Sequence, residues 1–122
     1  MKKIIFILSL IYLASSISAQ DKYVENMNKA FDLWEENKIM DAYALFDRIS
    51  KVETDNWLPS YYAANTLIVK TFDTDSIELV TELLKTAERH IESAKEVSPE
   101  NSEILTLEGL LYTAYVASDP AT

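Results

Sequence analysis

Few residues of this chain are of types that carry out chemistry. His90 is the only histidine and there is no cysteine, which leaves little from which to build a zinc site or a nucleophile activated by histidine. On a helix the neighbours of His90 at four-residue steps are Thr86 and Ala94, and neither supplies a carboxylate or a nucleophile. We therefore expect His90 to be a surface histidine. We also expect the chain to bind no metal or cofactor and to have no catalytic activity.

One run of carboxylates, DTDSIE from Asp73 to Glu78, has a partial likeness to a calcium-binding loop. Ile77 occupies a position at which such a loop needs an oxygen ligand, and the glycine that the loop requires is missing. Asp75 followed three residues later by Glu78 fits a helix-capping box instead, with Asp in place of Ser or Thr. We expect this run to begin a helix and not to hold a metal ion.

The first twenty residues, MKKIIFILSLIYLASSISAQ, have the three parts of a secretory signal peptide. Two lysines precede the apolar run IIFILSLIYLA, and small residues follow it. The run covers 11 residues, whereas a membrane-spanning helix needs about 20, so an uncleaved anchor is the weaker alternative. We predict that a signal peptide, residues 1–19, is cleaved near Ala19-Gln20. The remainder, residues 20–122, is then exported to the periplasm or secreted.

The composition limits the classes of partner. The chain has 20 acidic and 11 basic side chains, which give a formal net charge of −9. An acidic chain without a basic stripe repels phosphate, which argues against nucleic acid and anionic membrane as partners. The acidic residues are scattered singly, which favours a solvated surface over an acidic docking patch. Without cysteine there can be no disulfide, and we expect one small domain stabilised by packing alone.

Apolar residues recur at three- and four-residue steps along the whole chain after the signal segment, and no sustained alternation typical of strands occurs. The pattern predicts an all-α fold. Asn37 is expected to end the first helix in a left-handed conformation, and Pro99 to block continuation of the fourth. The five predicted helices run from about Tyr23 to Glu36, from Ile39 to Val52, from near Pro59 to the FDTDS interruption, from near Asp75 to Val97, and from about Asn101 to Ala117.

One small residue lies near the middle of each predicted helix: Ala30, Ala42, Ala64, Ala87 and Gly109. A large side chain would push apart two helices that cross closely, so these residues are expected to mark helix crossings, and their regular spacing indicates an internal repeat. Gly109 is the only glycine. In mid-helix it should cost about 1 kcal/mol relative to alanine, and we therefore expect it to lie at a contact too tight for a methyl group.

This spacing resembles that of the tetratricopeptide repeat, a helix–turn–helix unit of about 34 residues. Ala30 and Ala42 stand at the interval that separates the two small positions of the family. The match is fuller in the second helix of the next unit, at Ala87, Ile91, Ala94 and Pro99, and in the helix that follows, at Leu105, Gly109 and Tyr112. The resemblance implies antiparallel helical hairpins stacked as a short solenoid of about two and a half repeats.

The chain departs from the family pattern in two places. In the first unit Ile49 stands where alanine is usual and Thr54 where proline is usual. In the middle unit the interval between the small residues is longer by about three helical turns, a length that leaves the apolar faces of the helices unrotated. We interpret Thr71 to Thr81 as the insertion responsible.

The resemblance also implies a function, the binding of a protein or peptide along the concave face of the solenoid. An exposed aromatic ring beside an amide suits an extended peptide, whereas the alternative for each aromatic residue is that it only fills the core. A different possible role is that of a structural or accessory subunit docked permanently in a larger envelope assembly. The family's inward-facing positions map onto Val24, Met27, Phe31, Trp34, Leu58, Tyr61, Asn65 and Ile68. We predict a candidate concave-face site made of Met27, Phe31, Trp34, Tyr61, Asn65 and Ile68.

The fifth predicted helix carries apolar residues nearly all round, so it needs cover on more than one side. Either the chain is a fragment of a longer repeat protein, or another molecule supplies the cover. We expect a homo-oligomer formed through this helix, with Leu107, Leu111 and Tyr115 on the partner face.

Overall fold

The computed structural model describes the backbone of residues 2–119 and the side chains of residues 19–119. No strand occurs in this described part of the chain, and the residues between helices form turns and short connections. The predicted all-α fold class is therefore confirmed. The five helices are α1 (Lys2–Glu35), α2 (Ile39–Val52), α3 (Leu58–Thr71), α4 (Ile77–Val97) and α5 (Ser102–Ser118).

Helix α1 begins well before the first predicted helix, because it continues backwards into the predicted signal segment. The side chains of residues 1–18 lie outside the described residues, and cleavage near Ala19 stays a prediction. Among the residues that the structure describes, no helix has the length and apolar character needed to cross a membrane.

Local signals set most of the helix ends where the sequence predicted them. Asn37 has a φ of 62° directly after α1, which confirms the left-handed conformation expected there. Pro59 lies in the first turn of α3, where its missing N–H leaves no hydrogen bond unmade. The N-cap residue of α3, Trp57, makes no side-chain capping hydrogen bond; the amide of Leu58 donates instead to Oδ1 of Asn56 at 3.0 Å, in a turn just before the helix.

The start of α4 corrects one detail of the prediction. Ser76, and not Asp75, is the N-cap, because its Oγ accepts a hydrogen bond from the amide of Leu79 at 3.3 Å. At the start of α5, Oδ1 of Asn101 accepts from the amide of Glu103 at 2.9 Å, as expected for a capping asparagine. The carboxylate run that contains Asp75 therefore precedes and opens a helix.

Each helix packs against the next one in the chain, and α3 also contacts α5. Two clusters of buried side chains form the core, and α3 contributes to both of them. The first cluster joins α1, α2 and α3 through Met27, Ala30, Ala42, Phe46, Ile49 and Ala63. The second joins α3, α4 and α5 through Ala64, Leu67, Ile68, Val80, Leu83, Leu84, Ala87, Ile91, Ala94, Ile104, Leu107, Leu111 and Ala114.

The small residues divide into two groups. Ala30, Ala42, Ala64 and Ala87 are fully buried, as expected of residues at helix crossings. Gly109 is exposed, and a Cβ placed on it would meet no atom within 4 Å. The prediction of a tight contact at Gly109 is therefore wrong, since no other described part of the chain approaches it.

The predicted insertion has only part of its expected effect. Thr71 is the last residue of α3, residues 72–76 form the connection, and α4 begins at Ile77. Helix α3 has 14 residues, the same number as α2, whereas α4 has 21. The extra residues therefore lengthen α4 and the connection before it, and not α3.

Candidate functional site

Three side chains at four-residue steps form a stripe along one face of α3. Trp57 immediately precedes the helix in a helical conformation, and Tyr61 and Asn65 follow one and two turns later. Side chains four residues apart on a helix lie one above the other. All three are half-buried, so each has one side against the protein and another towards solvent. We call Trp57, Tyr61 and Asn65 the α3 stripe.

Aromatic contacts hold the α3 stripe in place. The ring of Tyr61 meets the ring of Trp57 edge to face at a centroid distance of 5.4 Å, and that of Tyr62 at 5.0 Å. Tyr62 in turn contacts Phe31 of α1 at 4.7 Å. Edge-to-face contacts of this kind favour one relative orientation of the rings. Contacts within the chain therefore orient the rings of Trp57 and Tyr61.

The polar side-chain atoms of the α3 stripe form no hydrogen bonds with the rest of the described chain. Among the described residues, the indole N–H of Trp57, Oη of Tyr61 and the side-chain amide of Asn65 make no hydrogen bond with another protein group. None of these atoms is fully buried, because no fully buried side-chain polar atom of the described residues lacks a partner. An indole donor, a phenol and an amide that both donates and accepts are thus available to a ligand.

The stripe lies close to an acidic residue of α5. Burial raises the pKa of Tyr61, and the negative charge of Glu103 raises it further. Tyr61 is therefore a neutral phenol at ordinary pH, able to donate one hydrogen bond. The carboxylate of Glu103 places negative charge near the side of α3 that faces α5.

The structure separates the six predicted concave-face residues into three pairs. Met27 is 7% exposed and Ile68 is fully buried, so both belong to the core and offer no surface to a ligand. Phe31 and Trp34 are half-buried and pack against Phe46 at centroid distances of 5.2 and 6.3 Å. Tyr61 and Asn65 are half-buried, and their polar side-chain atoms, like the indole N–H of Trp34, make no hydrogen bond with another described residue. Trp57 was not predicted, although its four-residue spacing from Tyr61 was the signal that could have found it.

The predicted partner face of α5 is turned inward. Leu107 and Leu111 are buried in the second core cluster, and Oη of Tyr115 donates a hydrogen bond to Glu88 of α4 at 3.2 Å. These three residues therefore fasten α5 to the rest of the protein. The exposed side of α5 is a different stripe, formed by Leu105, Gly109, Tyr112 and Val116.

His90 is not the surface residue that the sequence suggested. Its Nε2 lies 3.2 Å from Oη of Tyr43 and 3.5 Å from Oδ1 of Asp47, both on α2. Burial lowers the pKa of His90, although the nearby charge of Asp47 opposes this effect. Sequence neighbours on α4 could not reveal these partners, which come from another helix.

A polar cleft of about 320 Å³ lies beside His90, between α2, the connection to α3, and α4. Three serines line it, and the hydroxyls of two of them are hydrogen-bonded to backbone carbonyls. Oγ of Ser50 donates to the carbonyl of Asp47 at 2.6 Å, and Oγ of Ser93 donates to the carbonyl of Arg89 at 3.1 Å. A hydroxyl whose proton is held by a backbone carbonyl is not activated by a nearby base. The third, Ser60, is 8% exposed, and the hydrogen bond of His90 goes to Tyr43 and not to Ser60. The described residues also contain no group of three or more histidine or carboxylate side chains that could hold a metal ion.

The chain matches no protein-family model, no curated protein and no solved structure. The resemblance to the tetratricopeptide repeat therefore depends on the residues quoted above, and it stays a prediction. Any assignment of function has to come from the geometry of the chain itself.

Proposed function

We propose that this chain is a non-catalytic binding module that holds an extended peptide, or an extended segment of a protein, on the α3 stripe. The observation that carries the proposal is the set of unpaired, accessible polar atoms on Trp57, Tyr61 and Asn65. Residues that only fill a core have no need of such atoms on an ordered aromatic surface. A ligand that supplies hydrogen-bonding groups along its length would satisfy them.

The chemistry of the stripe favours peptide backbone as the ligand. The amide of Asn65 can donate to a carbonyl and accept from an N–H, which is the pairing that an extended backbone offers. The rings of Trp57 and Tyr61 give apolar contact area with little loss of side-chain entropy, since packing already orders them. Glu103 and the net charge of −9 favour a ligand that is neutral or basic over an acidic one.

We further propose a tetratricopeptide-like stacking of helical hairpins as the frame of this site. Two observations support it: the sequential packing of the helices, and the full burial of Ala30, Ala42, Ala64 and Ala87. In such a frame the first helix of each hairpin lines the concave face, and α3 is the first helix of the central hairpin. The secretory signal predicted at the N-terminus supports a location in the periplasm or outside the cell.

The proposal is tested with a displayed library of random peptides, selected on the immobilised chain. Selected peptides are then measured by fluorescence anisotropy against the unmodified chain and against a Tyr61→Ala, Asn65→Ala double variant. We expect the double variant to lose at least tenfold in affinity while its circular dichroism is unchanged. The matched control is Phe72→Ala, an exposed aromatic residue on the α3–α4 connection, which should bind as the unmodified chain does.

Two results would count against the site. One is a double variant that binds selected peptides as tightly as the unmodified chain, and the other is a failure to select any peptide. In the second case a pull-down from envelope extract that yields one stoichiometric protein would favour the alternative role, a permanently docked accessory subunit.

A further inference from the structure

The outer side of α5 carries a stripe of exposed, mostly apolar residues. Leu105, Tyr112 and Val116 are 49%, 55% and 61% exposed, and Gly109 lies exposed between them. Steps of four, three and four residues place all four on one side of the helix. The buried residues of α5, Ile104, Leu107, Leu111 and Ala114, lie on the opposite side of the helix.

Gly109 makes a notch in the outer stripe. Having no side chain, it leaves the helix backbone open, and an added Cβ would find no neighbour within 4 Å. Leu105 and Tyr112 project on either side of it. The small residues of α1 and α3, Ala30 and Ala64, are fully buried. A small residue at the surface of a helix allows another helix to approach closely. At Gly109 no other described helix does so.

The stripe is complementary to itself under a two-fold axis. If two α5 helices cross antiparallel with the axis between Leu110 and Leu111, Gly109 of each copy faces Tyr112 of the other. The same axis places Leu105 of each copy opposite Val116 of the other. The phenol ring of Tyr112 then fills the notch at Gly109, twice in one interface, as the isologous contact of a symmetric dimer requires.

The distribution of charge favours the same surface for a contact between two copies. Two copies of a chain with a net charge of −9 repel each other, so they can meet only where few carboxylates come together. The four stripe residues are uncharged, whereas the exposed residues of α4 include both acidic and basic side chains. The carboxylate next to Gly109 in sequence, Glu108, is paired with Lys95 of α4 at 3.0 Å and is thereby neutralised.

We propose that the outer stripe of α5 is a homodimer interface, in which a second copy of this chain packs its own α5 antiparallel, with Tyr112 of each copy seated on Gly109 of the other. The proposal does not depend on the α3 stripe, because none of its residues takes part. Exposed apolar surface of this kind on an ordered helix is typical of an interaction site.

The test measures the mass of the particle in solution. The full sequence is expressed with its own N-terminal segment and purified in the form that the host yields, with its N-terminus determined by mass spectrometry. Light scattering behind a sizing column should give a dimer at high micromolar concentration. Tyr112→Glu and Gly109→Tyr should each raise the dissociation constant of the dimer at least tenfold, so both variants should be monomeric at the same concentration. Val52→Glu, an exposed apolar residue on α2, is the matched control and should remain dimeric.

An exchange of the two central residues tests the register. The double variant Gly109→Tyr, Tyr112→Gly moves the ring and the notch to each other's positions, and the two-fold axis still pairs them. We expect it to recover the dimer that Gly109→Tyr alone loses. Because the natural chain has no cysteine, a Leu105→Cys chain mixed with a Val116→Cys chain should form the mixed disulfide, and neither chain should crosslink with itself.

Three results would overturn the proposal. The first is a monomer for the unmodified chain at high micromolar concentration, and the second is a dimer that Tyr112→Glu does not weaken. The third is efficient self-crosslinking of the Leu105→Cys chain, which requires a parallel or shifted arrangement. Peptide binding by Tyr61 and Asn65 could survive any of these results, so failure of this proposal is distinguishable from failure of the binding site.

Discussion

The phenol of Tyr43 on α2 and the imidazole of His90 on α4 are in contact, although 47 residues separate them in the chain. Their polar atoms are 3.2 Å apart, and the two rings lie edge to face at a centroid distance of 5.6 Å. The side chain of His90 is only 13% exposed. The fold thus holds its only histidine in a setting that disfavours the charged form.

The first prediction follows from the lowered pKa of His90. Burial is the main cause, and the charges of Arg89 and Lys51 act in the same direction while Asp47 opposes them. With the folded-state pKa below the unfolded value of 6.5, the unfolded chain takes up the proton first as the pH falls. The free energy of unfolding should therefore decrease as the pH falls below about 6.5, and this loss should end below the folded-state pKa.

Urea denaturation at a series of pH values between about 7.5 and 5.5 measures this effect, in a window where most carboxylates stay ionised. The control is His90→Gln, which cannot take up the proton. Its profile should be flatter than that of the unmodified chain. A stability that rises on acidification through this window, and does so only when His90 is present, would show that Asp47 outweighs burial.

The second prediction concerns Phe46, the fully buried ring on which Phe31, Trp34 and Tyr62 pack. Phe46→Ala would leave a cavity at the junction of α1, α2 and α3, and it should lower the free energy of unfolding by about 3–5 kcal/mol. Chemical denaturation checks this value. Phe72→Ala, on the exposed connection between α3 and α4, should change stability by no more than about 0.5 kcal/mol. Equal losses for the two variants would contradict the assignment of the core.

Much of the fold follows from local sequence signals, and the helix ends show why. Asn37 and Asn101 act on their own backbone neighbours, so their effects can be predicted without knowing the tertiary structure. The cap of α4 was displaced by one residue, from Asp75 to Ser76, because both side chains can accept a hydrogen bond in that role and the sequence alone does not rank them.

The wrong predictions concern which side of a helix is buried and which residues far apart in the sequence are in contact. Helix α5 is apolar nearly all round, so its sequence does not say which side meets α4, and Leu111 was placed outward and Gly109 inward. The environment of His90 depends on Tyr43, which lies on another helix. Of the candidate site, Tyr61 and Asn65 could be proposed from spacing, whereas the burial of Ile68 is a property of the packed helices.

The third prediction tests the orientation of α5. Leu111 is 1% exposed and Leu105 is 49% exposed, although both were apolar candidates in the sequence. Leu111→Glu would bury a carboxylate without a partner and should lower the free energy of unfolding by about 3 kcal/mol or more. Leu105→Glu should lower it by no more than about 0.5 kcal/mol. Urea denaturation at low protein concentration, where the monomer predominates, separates these effects from association. A larger loss for Leu105→Glu would mean that α5 is turned the other way.

The last prediction concerns Gly109, which has neither a positive φ nor a close neighbour to require glycine. In an exposed helical position glycine costs conformational entropy without any gain in contacts. Gly109→Ala should therefore raise the free energy of unfolding by about 0.5–1 kcal/mol, measured by thermal or urea denaturation of the monomer. The same methyl group would partly fill the notch that receives Tyr112 in the proposed dimer, so the variant should associate more weakly while it folds more stably. A more stable monomer together with a weaker dimer would show that Gly109 serves association. A monomer destabilised by alanine would instead show that a contact within the chain requires glycine at this position.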